Sequence, residues 1–209
     1  KSNCLSVQPA ETEFGRKTQI HNSSCNKDYS CLMGDCPSFT TIVPREAAPR
    51  AKRRAAAPDI PIPMPGPIVS GGDFAVHMSG IGGTGVVTVN QILGTAAIID
   101  GKTVRALDQF GSSQKAGPVV SHLRIFDRGR DVASAVPTGG ADLYLVFDLL
   151  VGADPKNLVR ADPKRSVAVV STTRVPTGRM VADPKVLYPE RSLLRKRIES
   201  ATRTDPAVW

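Results

Sequence analysis

Aromatic side chains are scarce in this 209-residue chain, with one Trp, three Tyr and six Phe making up 5% of the residues. Its core must therefore be built from Val, Ile, Leu and Ala, and a hydrophobic content of 41% supplies enough of them. No apolar run approaches the roughly 20 residues of a membrane-crossing helix, and no charged-then-apolar leader opens the chain. The expectation is a cytoplasmic protein with no membrane partner. The chain opens at Lys1 rather than Met and stops at Trp209, which reads as a piece of something longer. Also missing are a Ser-His-Asp arrangement, a paired-carboxylate box and a Walker-type phosphate loop. No complete catalytic constellation is visible, and the chain is not expected to be catalytic alone.

The charge balance is +8, which suits an acidic partner or a phosphate-bearing ligand. Much of the excess sits in two short runs, one of them Arg50, Lys52, Arg53 and Arg54. It lacks the interleaved aromatics on which bases stack, so nucleic acid is not expected as a partner. The same run lies in a proline-dense stretch over 44–72. Proline removes backbone donors and favours extended backbone, so the stretch reads as a semi-rigid basic linker. It divides a small, polar, irregular segment over 1–43 from a patterned domain over 73–209.

In that domain strands and helices alternate. Phe74–Ser79, Thr103–Leu107, Pro118–Phe126, Leu143–Phe147 and Arg165–Ser171 read as strands. Val86–Ile99 reads as a helix that buries Val86, Val89, Leu93 and Ala97 at three- and four-residue steps. A last helix over Glu190–Ala201 would turn Leu193, Leu194 and Ile198 inward and Arg191, Arg195, Lys196 and Arg197 outward. The expected fold is α/β and Rossmann-like, a mostly parallel sheet with helices on both faces.

Gly80, Gly82 and Gly85 satisfy G-x-G-x-x-G between the first strand and the first helix, with Gly83 inside the motif. Glycines permit close backbone approach, and the helix start offers N–H groups to a phosphate. Such a turn can equally be a packing device. Asp108 could meet a ribose hydroxyl. A second loop, 108–117, contains Gln114, Lys115 and Gly117 and follows a strand where open sheets place ligand crevices; Lys115 could neutralise a phosphate. His77 and His122 lie within strands and read as satisfied structural histidines.

All four cysteines, Cys4, Cys25, Cys31 and Cys36, fall in the first segment. Four thiolates can hold one [4Fe–4S] cluster, and Cys36-Pro37 resembles the end of a bacterial ferredoxin run. A structural zinc, a disulfide framework or idle thiols are the alternatives. Only Cys31 and Cys36 come near a zinc-knuckle spacing, and no leader points to an oxidising compartment.

The stretch Ser2–Phe39 resembles the cluster-binding segment of the fused indolepyruvate ferredoxin oxidoreductases. GIGGTGVVTVNQIL from Gly80, LDQFGSSQKAGPVVSHLRI and VPTGRMV resemble the gamma-type domain of the 2-oxoacid:ferredoxin oxidoreductases. The resemblance implies oxidative decarboxylation of an aryl 2-oxoacid to its acyl-CoA, driven by thiamine diphosphate and Mg²⁺, with electrons passing through [4Fe–4S] clusters to ferredoxin. It implies that Cys4, Cys25, Cys31 and Cys36 are cluster ligands. Gly80, Gly82, Gly83, Gly85 and the loop through Gln114, Lys115 and Gly117 would line the gamma domain's working edge, against CoA or the thiamine domains. This chain departs from the whole enzyme in lacking the G-D-G motif that binds the diphosphate; Gly72-Asp73-Phe74 and Gly34-Asp35-Cys36 fail at the third position. The implied partners are ferredoxin and thiamine-bearing domains or subunits of the same enzyme, in an oligomer. The rival reading is a Rossmann-like module for a nucleotide or CoA, with a structural metal segment and no catalysis.

Overall fold

The structure is a computed structural model that describes residues 6–22, 25, 27, 61, 72–111, 117–183 and 185–203. Its elements all belong to one compact unit formed by Lys1–Cys25 and Val69–Trp209. The other unit, Asn26–Ile68, contains only Lys27 and Pro61 among the described residues. Cys4, Cys31, Cys36, Gln114, Lys115 and nearly all of the proline-dense stretch lie outside the described residues.

Within the segment expected to be irregular there is a hairpin, β1 (Val7–Thr12) and β2 (Gly15–Ile20), paired antiparallel from Val7↔Ile20 to Thr12↔Gly15. Glu13 and Phe14 make the turn, and Gly15 (φ 85°) takes the left-handed backbone that lets it close. The Thr12 hydroxyl locks it by donating to the Gly15 carbonyl at 2.6 Å.

The main sheet contains β3 (Phe74–Ile81), β4 (Thr103–Phe110), β5 (Pro118–Phe126), β6 (Leu143–Val146) and β7 (Val167–Val170), in spatial order β4-β5-β3-β6-β7. It is mixed, which corrects the expectation of a mostly parallel sheet. β3, β6 and β7 run parallel, whereas β5 is antiparallel to both β3 and β4. The reason is connection length. The link from Phe110 to Pro118 is too short for a crossover helix, so β5 must return antiparallel. It inserts between β3 and β4, which the helix α1 (Val86–Ile99) connects.

Helices cover both faces of the sheet. Residues alternate across it, so Val76 and Met78 of β3 and Leu123 of β5 face α1. Tyr144, Val146, Ala168 and Val170 face the other way and pack with Leu149, Leu194 and Ile198. Leu149 belongs to the short α2 (Leu149–Gly152); α3 (Pro155–Leu158) and α4 (Gly178–Ala182) are also short. Leu194 and Ile198 come from α5 (Arg191–Ala201), whose Leu193 is 48% exposed rather than inward as expected. At the amino end of the sheet the buried Asp142 accepts from Ala75 N (2.8 Å) and takes a two-pronged grip from Arg165 (2.7 and 2.9 Å). That buried carboxylate ties the starts of β3, β6 and β7 together, its charge met by the two-pronged contact from the half-exposed Arg165.

Candidate functional site at the carboxyl ends of the parallel strands

The chain leaves β3 through α1 toward β4 on one side, and leaves β6 through α2 and α3 toward β7 on the other. The carboxyl ends of β3 and β6 therefore mark the point where connections diverge, and open α/β sheets bind ligands there.

The glycine turn occupies the β3 side. Gly80 is not in the loop; it sits inside β3, paired with Val119 and buried. A methyl group on it would stand 2.7 Å from Val86 Cγ2, 2.8 Å from Phe147 Cβ and 2.8 Å from Thr84 Oγ1. This first glycine of the motif is thus a packing glycine, which brings α1 and the end of β6 onto the strand. The turn itself is made by Gly82, Gly83 and Gly85. Gly83 (φ 96°) and Gly85 (φ 87°) both hold left-handed backbone. Thr84 is folded back, with its N–H and hydroxyl both donating to the Ile81 carbonyl. Gly85 is the N-cap of α1 and has no side chain, so no side-chain cap closes the first N–H groups of the helix. The Gly82 N–H donates to the Gly117 carbonyl at 2.9 Å. Two glycines singled out from separate loops are therefore clasped together, with Gln114 and Lys115 on the chain just before Gly117.

Asp108 does not project from a strand end. It lies within β4 and accepts from Asn90 Nδ2 (2.8 Å) and from the Ser121 hydroxyl, which ties it to α1 and β5. This carboxylate serves the packing of α1, not a ribose. Of the two histidines, His122 is satisfied, its Nδ1 accepting from Val136 N at 3.0 Å. His77 differs from expectation: it is buried, and neither ring nitrogen has a hydrogen-bond partner among the described residues. It stands in a row across the sheet, edge-on to His122 (5.0 Å) and stacked on Tyr144 (5.2 Å). Burial first, then His122 and Arg160, push its pKa down to about 3, so the imidazole is neutral.

Sequence reasoning missed a polar group on the β6–β7 side. Asp148 stands two residues past the β6 end and caps α2, accepting from Val151 N at 3.0 Å with Oδ1. Its other oxygen is buried without a partner among the described residues, and burial raises its pKa against the pull of the Val151 and Leu150 N–H groups. Burial and the Asp148 charge push Tyr188 up to about 12, while Arg174, lying 5.6 Å over its ring, and Arg191 act the other way. The only hint in the sequence was an aspartate closing the most apolar strand. Tyr188 comes near it, and Arg174 over the Tyr188 ring, through tertiary folding alone.

Among the described residues no three His, Cys, Asp or Glu side chains gather as a metal site. Of the four cysteines only Cys25 is described, and it is half-buried. The site can bind and orient; among the described residues it displays no nucleophile with an adjacent base.

Residues 75–198 match the Pyruvate ferredoxin/flavodoxin oxidoreductase family, and the chain belongs to it. The indolepyruvate oxidoreductase subunit IorB of Methanothermobacter thermautotrophicus is 29% identical over 115 residues, 54% of this chain and 54% of that one. The same subunit from Thermococcus kodakarensis is 38% identical over 77 residues, 36% and 37% of the two chains. Pyruvate synthase subunit PorC of Methanocaldococcus jannaschii is 42% identical over 99 residues, 47% and 54%. The chain thus spans about half or less of the length of these curated relatives. Among solved structures, pyruvate oxidoreductase subunit PORC of Thermotoga maritima aligns with a TM-score of 0.43 at 20% identity, over 61% of this chain and 57% of that one.

Proposed function

We propose that residues 73–209 are the gamma-type domain of an indolepyruvate-type 2-oxoacid:ferredoxin oxidoreductase, working in the cytoplasm with thiamine-bearing domains or subunits of the same enzyme. The observation that carries this reading is the coincidence of the family match, 75–198, with the sheet from β3 to α5 that holds the clasped glycine turn. The curated relatives, named as subunits of indolepyruvate and pyruvate enzymes, support it.

In the whole enzyme an aryl 2-oxoacid and CoA give acyl-CoA and CO₂, and two electrons leave singly for ferredoxin. Thiamine diphosphate, with its Mg²⁺, supplies the decarboxylating chemistry from outside this chain, which has no G-D-G motif for it. This chain's residues bind and position. Gly82, Gly83 and Gly85 leave the start of α1 open to a phosphate of CoA or to the thiamine domains, with Gly80 packing beneath them. Gln114 and Lys115 precede Gly117 in the sequence and are assigned to the same role on the family resemblance alone. Cys4, Cys25, Cys31 and Cys36 would hold a [4Fe–4S] cluster, which would supply one-electron transfer. The Cys36-Pro37 pair and the family resemblance of Ser2–Phe39 support this role.

The test is anaerobic purification and reconstitution of the chain, with iron and sulfide analysis and visible spectra before and after dithionite. About four irons per chain, in a brown protein that bleaches on reduction, is the expected result for a Cys₄ cluster. A colourless protein containing zinc, or no metal, overturns the electron-transfer role.

A further inference from the structure

Pro176 and Met180 belong to VPTGRMV, a stretch that takes no part in the glycine turn. It lies on the segment leaving β7, two strands away from β3 in the sheet. There the segment and the hairpin enclose a groove of about 380 Å³, toward the lower end of the roughly 300–1,000 Å³ of small-molecule pockets. Its walls are apolar. Pro9 comes from β1, Pro176 and Met180 from VPTGRMV, and Leu187 and Tyr188 from the approach to α5. Tyr188 turns its hydroxyl into the protein, where it is buried, so the ring is the part that lines the groove. Arg174, 5.6 Å from the ring centre, holds that wall in place.

The charges bordering the groove tell what it takes. Alternation along β1 puts Glu11 on the same face as Pro9, and the register sets Arg16 of β2 directly opposite Glu11. Both side chains line the groove. Arg16 Nε lies 3.8 Å from Glu11 Oε1 and the Glu11 side chain is 83% exposed, so the pair is loose and both charges stay open to a ligand. Of the five N–H donors of the guanidinium, the Met180 carbonyl takes one at 3.0 Å, which anchors Arg16 beside the apolar walls.

A simple carboxylic acid entering here is repelled by Glu11, and a simple amine by Arg16. A zwitterion offends neither, and an α-amino acid bears its carboxylate and ammonium on one carbon. We propose that the groove binds a free α-amino acid with an apolar side chain. Its carboxylate meets Arg16, its ammonium meets Glu11, and its side chain lies against Pro9, Pro176, Leu187 and Tyr188. None of these residues belongs to the glycine turn, so the site is separate from the one proposed there. The hairpin holds the charged end of the ligand and the α/β domain most of its apolar end. Binding therefore fastens the hairpin to the domain.

Calorimetric titration of the intact chain with L-phenylalanine, 3-phenylpropionate and phenethylamine tests this. Phenylalanine should bind saturably. Phenylpropionate, which lacks the ammonium, should bind about fivefold more weakly, the scale of an exposed ion pair. Phenethylamine, which lacks the carboxylate, should bind about tenfold more weakly or worse, the scale of a hydrogen bond to a charged group. Glu11→Gln should weaken phenylalanine about fivefold and leave phenylpropionate bound no less tightly. Leu187→Asp, which sets a carboxylate in the apolar wall, should weaken phenylalanine about tenfold. Both positions are exposed, so thermal melts of the two variants should match the wild type. Bound phenylalanine should also slow amide exchange in β1 and β2. A wild type that shows no saturable phenylalanine binding would overturn the proposal. So would phenylpropionate that binds as tightly as phenylalanine, or a Glu11→Gln variant with unchanged affinity.

Discussion

A methyl group at Gly80 and one at Gly94 would meet opposite fates, though both sites face buried surroundings. At Gly80 the three contacts under 3 Å leave no room without moving α1 away from β3. Gly80→Ala is expected to lower stability by about 2 kcal/mol, the usual cost of overpacking. At Gly94, in the middle of α1, a methyl would stand 3.5 Å from Leu123 Cδ1 and 3.5 Å from Val104 Cγ1, ordinary contact distances. Gly94→Ala should gain about 0.5–1 kcal/mol from helix propensity, and denaturant titration of both variants separates the two cases. The motif Gly-x-Gly-x-x-Gly was visible in the sequence, but not its division of labour. Spacing could not show that its first glycine packs while the others turn.

At the scale of elements, the row His122–His77–Tyr144 crosses β5, β3 and β6 and rests on neutral imidazoles. The pKa of His77 lies near 3 in the fold and near 6.5 in an unfolded chain, so the unfolded state binds the extra proton between those values. Stability is accordingly full above pH 6.5 and falls as the pH drops from 6.5 toward 3, by on the order of 5 kcal/mol at most. His122, held low by its burial and by Arg160, acts in the same direction. Replacing His77 with Gln should flatten part of that decline in urea titrations between pH 7 and 4; an unchanged slope would remove the histidine from the account.

The elements themselves were unevenly legible. α1 and β5 were found with their observed limits, because a fourteen-residue apolar periodicity and a run such as PVVSHLRIF admit little else. Strand direction was not legible, since alternation marks a strand without saying which way it runs. The hairpin β1–β2 was missed because VQPAET and GRKTQI are polar and each strand pairs only with the other. Asp148 meets Tyr188 forty residues later, a separation that no local pattern encodes.

For the whole molecule, one polar tie fastens the hairpin to the α/β domain among the described residues. Arg16 donates to the Met180 carbonyl at 3.0 Å, beside a groove of about 380 Å³ bordered by Pro9, Pro176, Met180 and Leu187. Arg16→Ala removes that bond, worth roughly 1 kcal/mol. Amide exchange in β1 and β2 should then quicken about fivefold while that of β3 and β6 stays unchanged, the behaviour of a locally opening unit. Equal acceleration throughout would show that hairpin and sheet unfold as one.

The placement of β5 has a consequence for the order in which the chain can assemble. β3, α1 and β4 are all synthesised before β5, yet β4 cannot pair with β3 because the slot between them belongs to a later strand. Until Phe126 is made, the slot stands open across two strand spacings, roughly 10 Å. β3 must also wait for β6 to cover its other edge. The strand that bears the glycine turn is thus the last in its half of the sheet to have its pairing completed, although it is the first of that sheet to be made.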